Sequence, residues 1–335
     1  MPEVVTFGEI MMRLSPPGKK KLDQTDRLDI LYSGAEANVS AALAGWGVHA
    51  AHITRFPDNP LGYAATAAWR QLNVDMGHIA YSPDRLGLYF VENGAMNRAT
   101  SITYDRLPSA FSTIHKNSFN WDQILNDAKW FHWTGITPAL SQGAADCLLE
   151  ALKVASKKGI KVSADINYRS NLWQYGKKPA EVMEPLVALS HVIVAAETDT
   201  SKIFGIDGGQ TDEGFRTITA KMKEKFASVV CLLSARRETI SSSHNRLSGI
   251  LSDGVEVLHT RTYEMDNIVE RIGSGDAFIA GYIYGQLAGW NDHQKIDYAT
   301  ASAVMKHSVE GDINRVSSKE ILELMGGNTG GWIKR

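Results

Sequence analysis

Short, uninterrupted apolar runs alternate along this chain with longer stretches in which apolar residues recur at helical spacing. The runs at 4–10, 51–54, 130–134, 160–166, 191–195 and 229–233 read as strands, mostly buried on both faces. The stretches 35–46, 142–157, 178–189 and 212–226 read as helices, with Gly47 and Gly159 as stop signals. This alternation predicts an α/β fold, a mostly parallel sheet with helices on both faces. Two segments break the rhythm. Residues 11–34 are polar, contain Pro and Lys, and are too long for an ordinary loop. Residues 86–91 and 99–104 resemble two strands around a turn at Asn93 and Gly94. Together they read as a small β lid, inserted at about 11–34 and 86–112 into a single domain spanning 1–335. Residues 239–259 resemble short antiparallel strands with a turn at Asp253 and Gly254. Helices at 274–288, 293–309 and 317–324 follow, and the glycine-rich stretch 326–331 reads as flexible.

Composition narrows the function classes. A chain of 335 residues, 44% apolar, can bury one large core. The net charge of −2 is mixed along the sequence, with no basic run suited to nucleic acid. The longest apolar stretches, such as 186–196, are too short to cross a bilayer, and no signal-peptide pattern is read at the N-terminus. Cys147 and Cys231 stand in apolar segments without metal-ligand spacing. They read as reduced core thiols of a cytoplasmic protein.

The sharpest chemical motif is Gly273-Ser274-Gly275-Asp276-Ala277-Phe278. Two glycines let backbone N–H groups turn toward one point, and a helix starting there adds partial positive charge. That suits a transferring phosphoryl group, and an Asp there can accept the proton of an attacking hydroxyl. A plain N-cap Asp with turn-forming glycines would give the same spacing. A dinucleotide fingerprint fits less well, because its third glycine would fall on Phe278. No P-loop sequence occurs.

This motif resembles the C-terminal signature of the ribokinase-like (PfkB) carbohydrate kinases. The resemblance runs along nearly the whole chain. It includes Phe7-Gly8-Glu9-Ile10-Met11 with Arg13, Gly34-Ala35-Glu36-Ala37-Asn38, and Phe131-His132-Trp133-Thr134-Gly135-Ile136. Pro57-Asp58-Asn59-Pro60-Leu61-Gly62, Asp165-Ile166-Asn167-Tyr168-Arg169 with Leu172-Trp173, Lys306-His307 and Gly311-Asp312 also belong to it. Within the family the blocks are most similar to those of members acting on 2-keto-3-deoxygluconate. The resemblance implies a Rossmann-like three-layer α/β/α core with a β lid, and phosphorylation of that acid at its terminal hydroxyl by ATP with Mg²⁺. It implies Asp276 as the general base, with backbone N–H groups of Gly273, Ser274 and Gly275 around the phosphoryl group. Gly34, Asn38, Tyr89, Tyr104, Arg106, Ile136 and Arg169 would meet the sugar acid. Lids in this family often pair between subunits, so a homo-oligomer is expected.

Chemistry supports the arginines, because a keto acid's carboxylate calls for a planar guanidinium or several donors. Tyr104 and Arg106, two apart, are expected to share one face of a lid strand. A lone strand Arg can equally be a solvated edge residue, and Glu36 an ordinary first-turn acid. Ser234 and Arg236 are the expected nucleotide contacts, together with Gly273 and Gly275. Three positions depart from the family pattern. The usual Asn-x-x-Glu is Ala196-Glu197-Thr198-Asp199 here, which leaves Glu197 and Asp199 to hold metal through water. Glu270 replaces a common Asp, and Ser234-Ala235-Arg236-Arg237 replaces a Lys-Gly-type segment. Another PfkB kinase acting on a neutral sugar such as fructose, or a weakened kinase that mainly binds a sugar acid, remain alternatives.

Overall fold

The computed structural model describes residues 2–327, so the stretch expected to be flexible at 326–331 lies mostly outside the described residues. The first apolar run does not continue to residue 10. Val4–Phe7 joins the main sheet, Gly8–Ile10 cross over, and Met11–Ser15 starts a second sheet. Strand side chains alternate between faces, and here both faces are apolar. Val5 and Phe7 enter one core cluster and Val4 the other, while Phe131 and Trp133 oppose Trp130 in the same way. A strand buried on both sides must be covered twice. Helices Gln142–Lys157, Pro179–Val187 and Asp212–Lys225 cover one face, and Ala35–Gly45, Ser274–Leu287 and Asp292–Lys306 the other. The three-layer α/β/α expectation holds.

The main sheet runs Val257–His259, Asn245–Ser252, Cys231–Thr239, Val192–Val194, Lys161–Asp165, Trp130–Thr134, Val4–Phe7, Ala50–Ile53, with Tyr263–Met265 also paired to Asn245–Ser252. From Cys231–Thr239 to Ala50–Ile53 every pairing is parallel. The strand expected at 229–233 therefore extends to Thr239, and its partner Asn245–Ser252 runs antiparallel against it over eight residue pairs. Period-2 patterning is weak there, because Arg236, Arg237 and Glu238 face partners other than the core.

The second sheet orders Asp29–Ser33, Met11–Ser15, Leu88–Glu92, Ser101–Asp105, with one parallel pairing between two antiparallel ones. Asn93 and Gly94 do not make its turn. Leu88–Glu92 and Ser101–Asp105 pair from Leu88↔Asp105 to Glu92↔Ser101. The tight reversal lies further out, where Ala95 and Arg98 exchange backbone hydrogen bonds of 3.0 and 2.9 Å around Met96 and Asn97. Helix Pro60–Arg70, absent from the sequence reading, starts on Asn59, whose side chain accepts from Leu61 N and Gly62 N, with Pro60 at the first helical position. No described helix is long and apolar enough to cross a membrane.

Candidate active site

Open parallel sheets bind ligands beyond the carboxyl ends of their strands, and the second sheet stands over that edge. A cavity of about 290 Å³ lies between them. All seven residues expected on the sugar side line it: Gly34, Asn38, Tyr89, Tyr104, Arg106, Ile136 and Arg169. So do Gly273, Ser274, Gly275 and Asp276.

The signature opens helix Ser274–Leu287. Gly273, its N-cap, has φ +83°, and a Cβ there would lie 1.7 Å from the carbonyl oxygen of Asp312. Gly275 differs, since a Cβ there would meet nothing within 4 Å. Asp276 is half-buried, and its carboxylate accepts a 2.7 Å hydrogen bond from Asn38 Nδ2. Burial pushes its pKa well above the usual carboxylate range, and the charges of Asp165, Asp312 and Glu36 add to this against the Asn38 bond. Glu36 is no ordinary first-turn acid. It is buried, accepting from Thr134 N (3.2 Å), Thr134 Oγ1 (2.8 Å) and Thr137 Oγ1 (2.7 Å), and so braces helix Ala35–Gly45 against strand Trp130–Thr134.

The arginines expected to face the substrate differ. Arg106 lies one residue beyond strand Ser101–Asp105 and lines the same cavity as Tyr104. It is buried, and its Nε donates to Glu9 at 2.5 Å, leaving both Nη groups without a partner among the described residues. Ser109 Oγ also donates to Glu9. Arg169 is exposed, its Nε donating to Asn167 Oδ1 at 3.0 Å. Tyr104 stacks on Tyr89 with ring centroids 6.0 Å apart, and the buried Tyr89 donates its hydroxyl to Asp312 at 2.5 Å.

Behind this wall lies a charged cluster whose assembly the sequence did not show. Arg13, buried, pairs with Asp312 and, at 2.6 Å, with Glu270. Ser33 Oγ donates to Asp312 at 2.7 Å. Glu270 Oε1 accepts from Arg271 N (2.9 Å) and Ile272 N (3.2 Å), so this side chain both reaches Arg13 and holds the approach to the signature. Lys306 is buried with one weak contact, to Val309 O at 3.4 Å; burial lowers its pKa to about 8 against the pull of Glu270 and Asp312.

A second cavity of about 510 Å³ is lined by Ala196, Glu197, Ser234, Arg236 and Arg237 among others, and Arg237 links it to the signature. Neighbouring strand residues face opposite ways. Arg236 pairs with Glu197 and Asp212, both at 3.1 Å, while Arg237 donates to Ser274 Oγ at 2.6 Å. Asp199 accepts from Ala196 N at 3.4 Å, capping its own helix. Nearby, burial and then the Asp199 charge raise the Asp165 pKa to about 7. No group of three or more His, Cys, Asp or Glu side chains is arranged to hold a metal ion among the described residues.

The profile of the pfkB family carbohydrate kinases matches residues 1–319. The chain belongs to that family. It is 40% identical to 2-dehydro-3-deoxygluconokinase of Thermotoga maritima, whose crystal structure superposes with a TM-score of 0.92 over 98% of this chain and 100% of that one. It is 32% identical to 2-dehydro-3-deoxygalactonokinase of Haloferax volcanii, over 98% of each chain. Fructokinase of Xylella fastidiosa, solved with bound ATP, shares the fold at 18% identity and a TM-score of 0.78, over 97% of this chain and 99% of that one. In this carbohydrate kinase the seven expected sugar-side residues and the signature thus surround one cavity.

Proposed function

We propose that this carbohydrate kinase transfers the γ-phosphate of ATP to the terminal hydroxyl of 2-keto-3-deoxygluconate, giving the 6-phosphate. The observation that carries the reading is the cavity that gathers Asp276 with Arg106 and Arg169. A keto acid brings a permanent carboxylate, for which Arg106 offers free Nη groups and Arg169 an exposed guanidinium with no carboxylate within ion-pair distance among the described residues. The two named deoxy-sugar-acid kinases among the relatives support the same substrate class. ATP fits the larger cavity, which Ser234 lines and which Arg237 links to Ser274. The terminal hydroxyl gives its proton to Asp276 as its oxygen bonds to the γ-phosphorus. The bond from that phosphorus to the β–γ bridging oxygen breaks, and ADP leaves. Asn38 fixes the Asp276 carboxylate for that transfer.

Magnesium, when bound, would neutralise phosphate charge. Asp165 and Asp199 fit as its water-mediated anchors, since their mutual repulsion is relieved by a cation. Glu197 fits less well because Arg236 already holds it, and Ala196 offers no side-chain contact to a water. We infer also that the second sheet acts as a lid and that a second copy pairs with it, since Ile30, Leu31, Ile102 and Tyr104 are exposed there.

A coupled ADP-release assay with Mg-ATP tests the reading on 2-keto-3-deoxygluconate, 2-keto-3-deoxygalactonate and fructose. A keto acid should be the best substrate by a large margin, and a clear preference for fructose sinks the proposal. The two arginines should then separate. Arg169→Ala removes an exposed side chain, so stability should hold while KM for the acid rises by the equivalent of about 1.5–3 kcal/mol, with any fructose turnover unchanged. Arg106→Ala strands the buried Glu9 and should also destabilise the fold by about 3–5 kcal/mol. Thermal melts beside the kinetics check both, and equal KM losses on acid and fructose would make Arg169 structural.

A further inference from the structure

The arginines lining the two cavities divide by partner. Arg106 is paired with Glu9, Arg236 with Glu197 and Asp212, and Arg246 with Glu238. Arg169, Arg237 and Arg271 have no carboxylate within ion-pair distance among the described residues. Arg169 stands on the sugar side. Arg237 and Arg271 stand at the signature, Arg237 lining the larger cavity and Arg271 the smaller.

The pair is placed at a cost. Arg237 is half-buried, and burial followed by the Arg271 charge lowers its pKa to about 10. Its one side-chain hydrogen bond goes to Ser274 Oγ at 2.6 Å, and that of Arg271 to Thr239 Oγ1 at 3.4 Å. Thr239, which Arg271 bonds, lies two residues from Arg237 on the same strand face, so the two guanidiniums stand near each other and repel. The adjacent helix start favours negative charge too. The acids beyond strand Val192–Val194 offset little of this, with Glu197 held by Arg236 and Asp199 capping its own helix.

We propose that Arg237 is a catalytic residue that binds the γ-phosphoryl oxygens of ATP, with Arg271 receiving the group on the acceptor side, so that the pair spans the path of transfer. This rests on the kinase reading above. A planar fork of N–H donors fits phosphoryl oxygens, on which charge gathers during transfer. Arg237 has donors left after Ser274 takes one.

Calorimetric titration of ATP and of ADP, without sugar acid, into wild type and Arg237→Ala is the direct test. ATP binding should weaken about tenfold or more while ADP binding stays within about twofold, because ADP lacks the group in question. Equal weakening of both, or of neither, overturns the proposal. In steady state kcat should fall by about 10²–10³-fold, the scale for removing one donor from developing oxyanion charge, and added guanidinium should restore part of it. A Ser274→Ala variant that reproduces the whole loss would reduce Arg237 to fixing that hydroxyl and overturn the direct contact. Arg237→Lys covers a folding failure of the alanine variant: it should keep part of the ATP selectivity, and losing ATP and ADP binding alike would count against the contact. The titrations need no sugar, so wild type that fails to phosphorylate a keto acid refutes the substrate reading and leaves this one standing.

Discussion

Asp276→Asn should lower kcat by about two to four orders of magnitude while leaving ATP and sugar-acid binding nearly intact. The Asn side chain keeps an oxygen for the 2.7 Å bond from Asn38 Nδ2, so geometry survives and basicity does not. The pH dependence adds a second readout. Burial, with Asp165, Asp312 and Glu36 nearby, holds the Asp276 pKa well above the ordinary carboxylate range. A base must be deprotonated, so the acid limb of kcat/KM in wild type should sit above that range and vanish in the variant's residual rate. Stability should move the other way. A carboxyl whose folded pKa is raised favours the fold below its unfolded pKa and loses that contribution as pH rises through the folded value. Asp276→Asn carries no such loss, so its melting temperature should exceed wild type at alkaline pH and converge with it as Asp276 protonates. A variant with near-normal turnover would remove Asp276 from the chemistry.

The signature was legible because its chemistry is local: two glycines, a helix start and an acid fall within four residues. The layered core was legible because apolar runs buried on both faces leave little choice of architecture. What surrounds the signature was not legible in the same way. Asn38 and Asp276 are 238 positions apart, and Arg13 and Glu270 are 257 apart. Only the folded sheet brings each pair together. Asn38, which the resemblance implies at the sugar, lines that cavity and is also bonded to Asp276. Arg236 and Arg237 show a different limit. Strand alternation says that they face opposite ways, but not which one meets Glu197 and which the signature; Arg236, the expected nucleotide contact, lines the larger cavity paired with Glu197 and Asp212. Arg237 is the one bonded to Ser274. Helix Pro60–Arg70 was missed although Asn59 and Pro60 are a strong start signal, because its exposed Leu61 and Tyr63 blur the apolar face. The Asn93–Gly94 pair was overvalued. A dipeptide suited to a tight turn does not set the register, which the cross-strand pairs Leu88↔Asp105 to Glu92↔Ser101 fix instead.

Gly273→Ala and Gly275→Ala should fail in opposite ways, and the contrast tests what the two glycines are for. At Gly273 a methyl group would sit 1.7 Å from Asp312 O, on a backbone with φ +83°. Neither can be relieved by a side-chain rotation, because the obstructing atom is main chain. The loop carrying Asp312 would have to move, and Asp312 is tied to Arg13, Ser33 and Tyr89. Strain of this kind falls in the exceptional class of single substitutions, above about 4 kcal/mol. Gly273→Ala should therefore melt far below wild type or fail to fold. At Gly275 the methyl group meets nothing within 4 Å, and the residue lines the cavity beside Asp276. Alanine is also the better helix former, so Gly275→Ala should fold at wild-type stability or slightly above. If the N–H groups here receive the transferring phosphoryl, that methyl stands in its path. kcat should then drop by about 10²–10³-fold, the range for losing an oxyanion donor, with KM for the sugar acid changing little. Melting curves and initial rates on the two purified variants decide it. A fully active Gly275→Ala would move the phosphoryl group away from the signature backbone, and a stable Gly273→Ala would show that the Asp312 loop is free to yield.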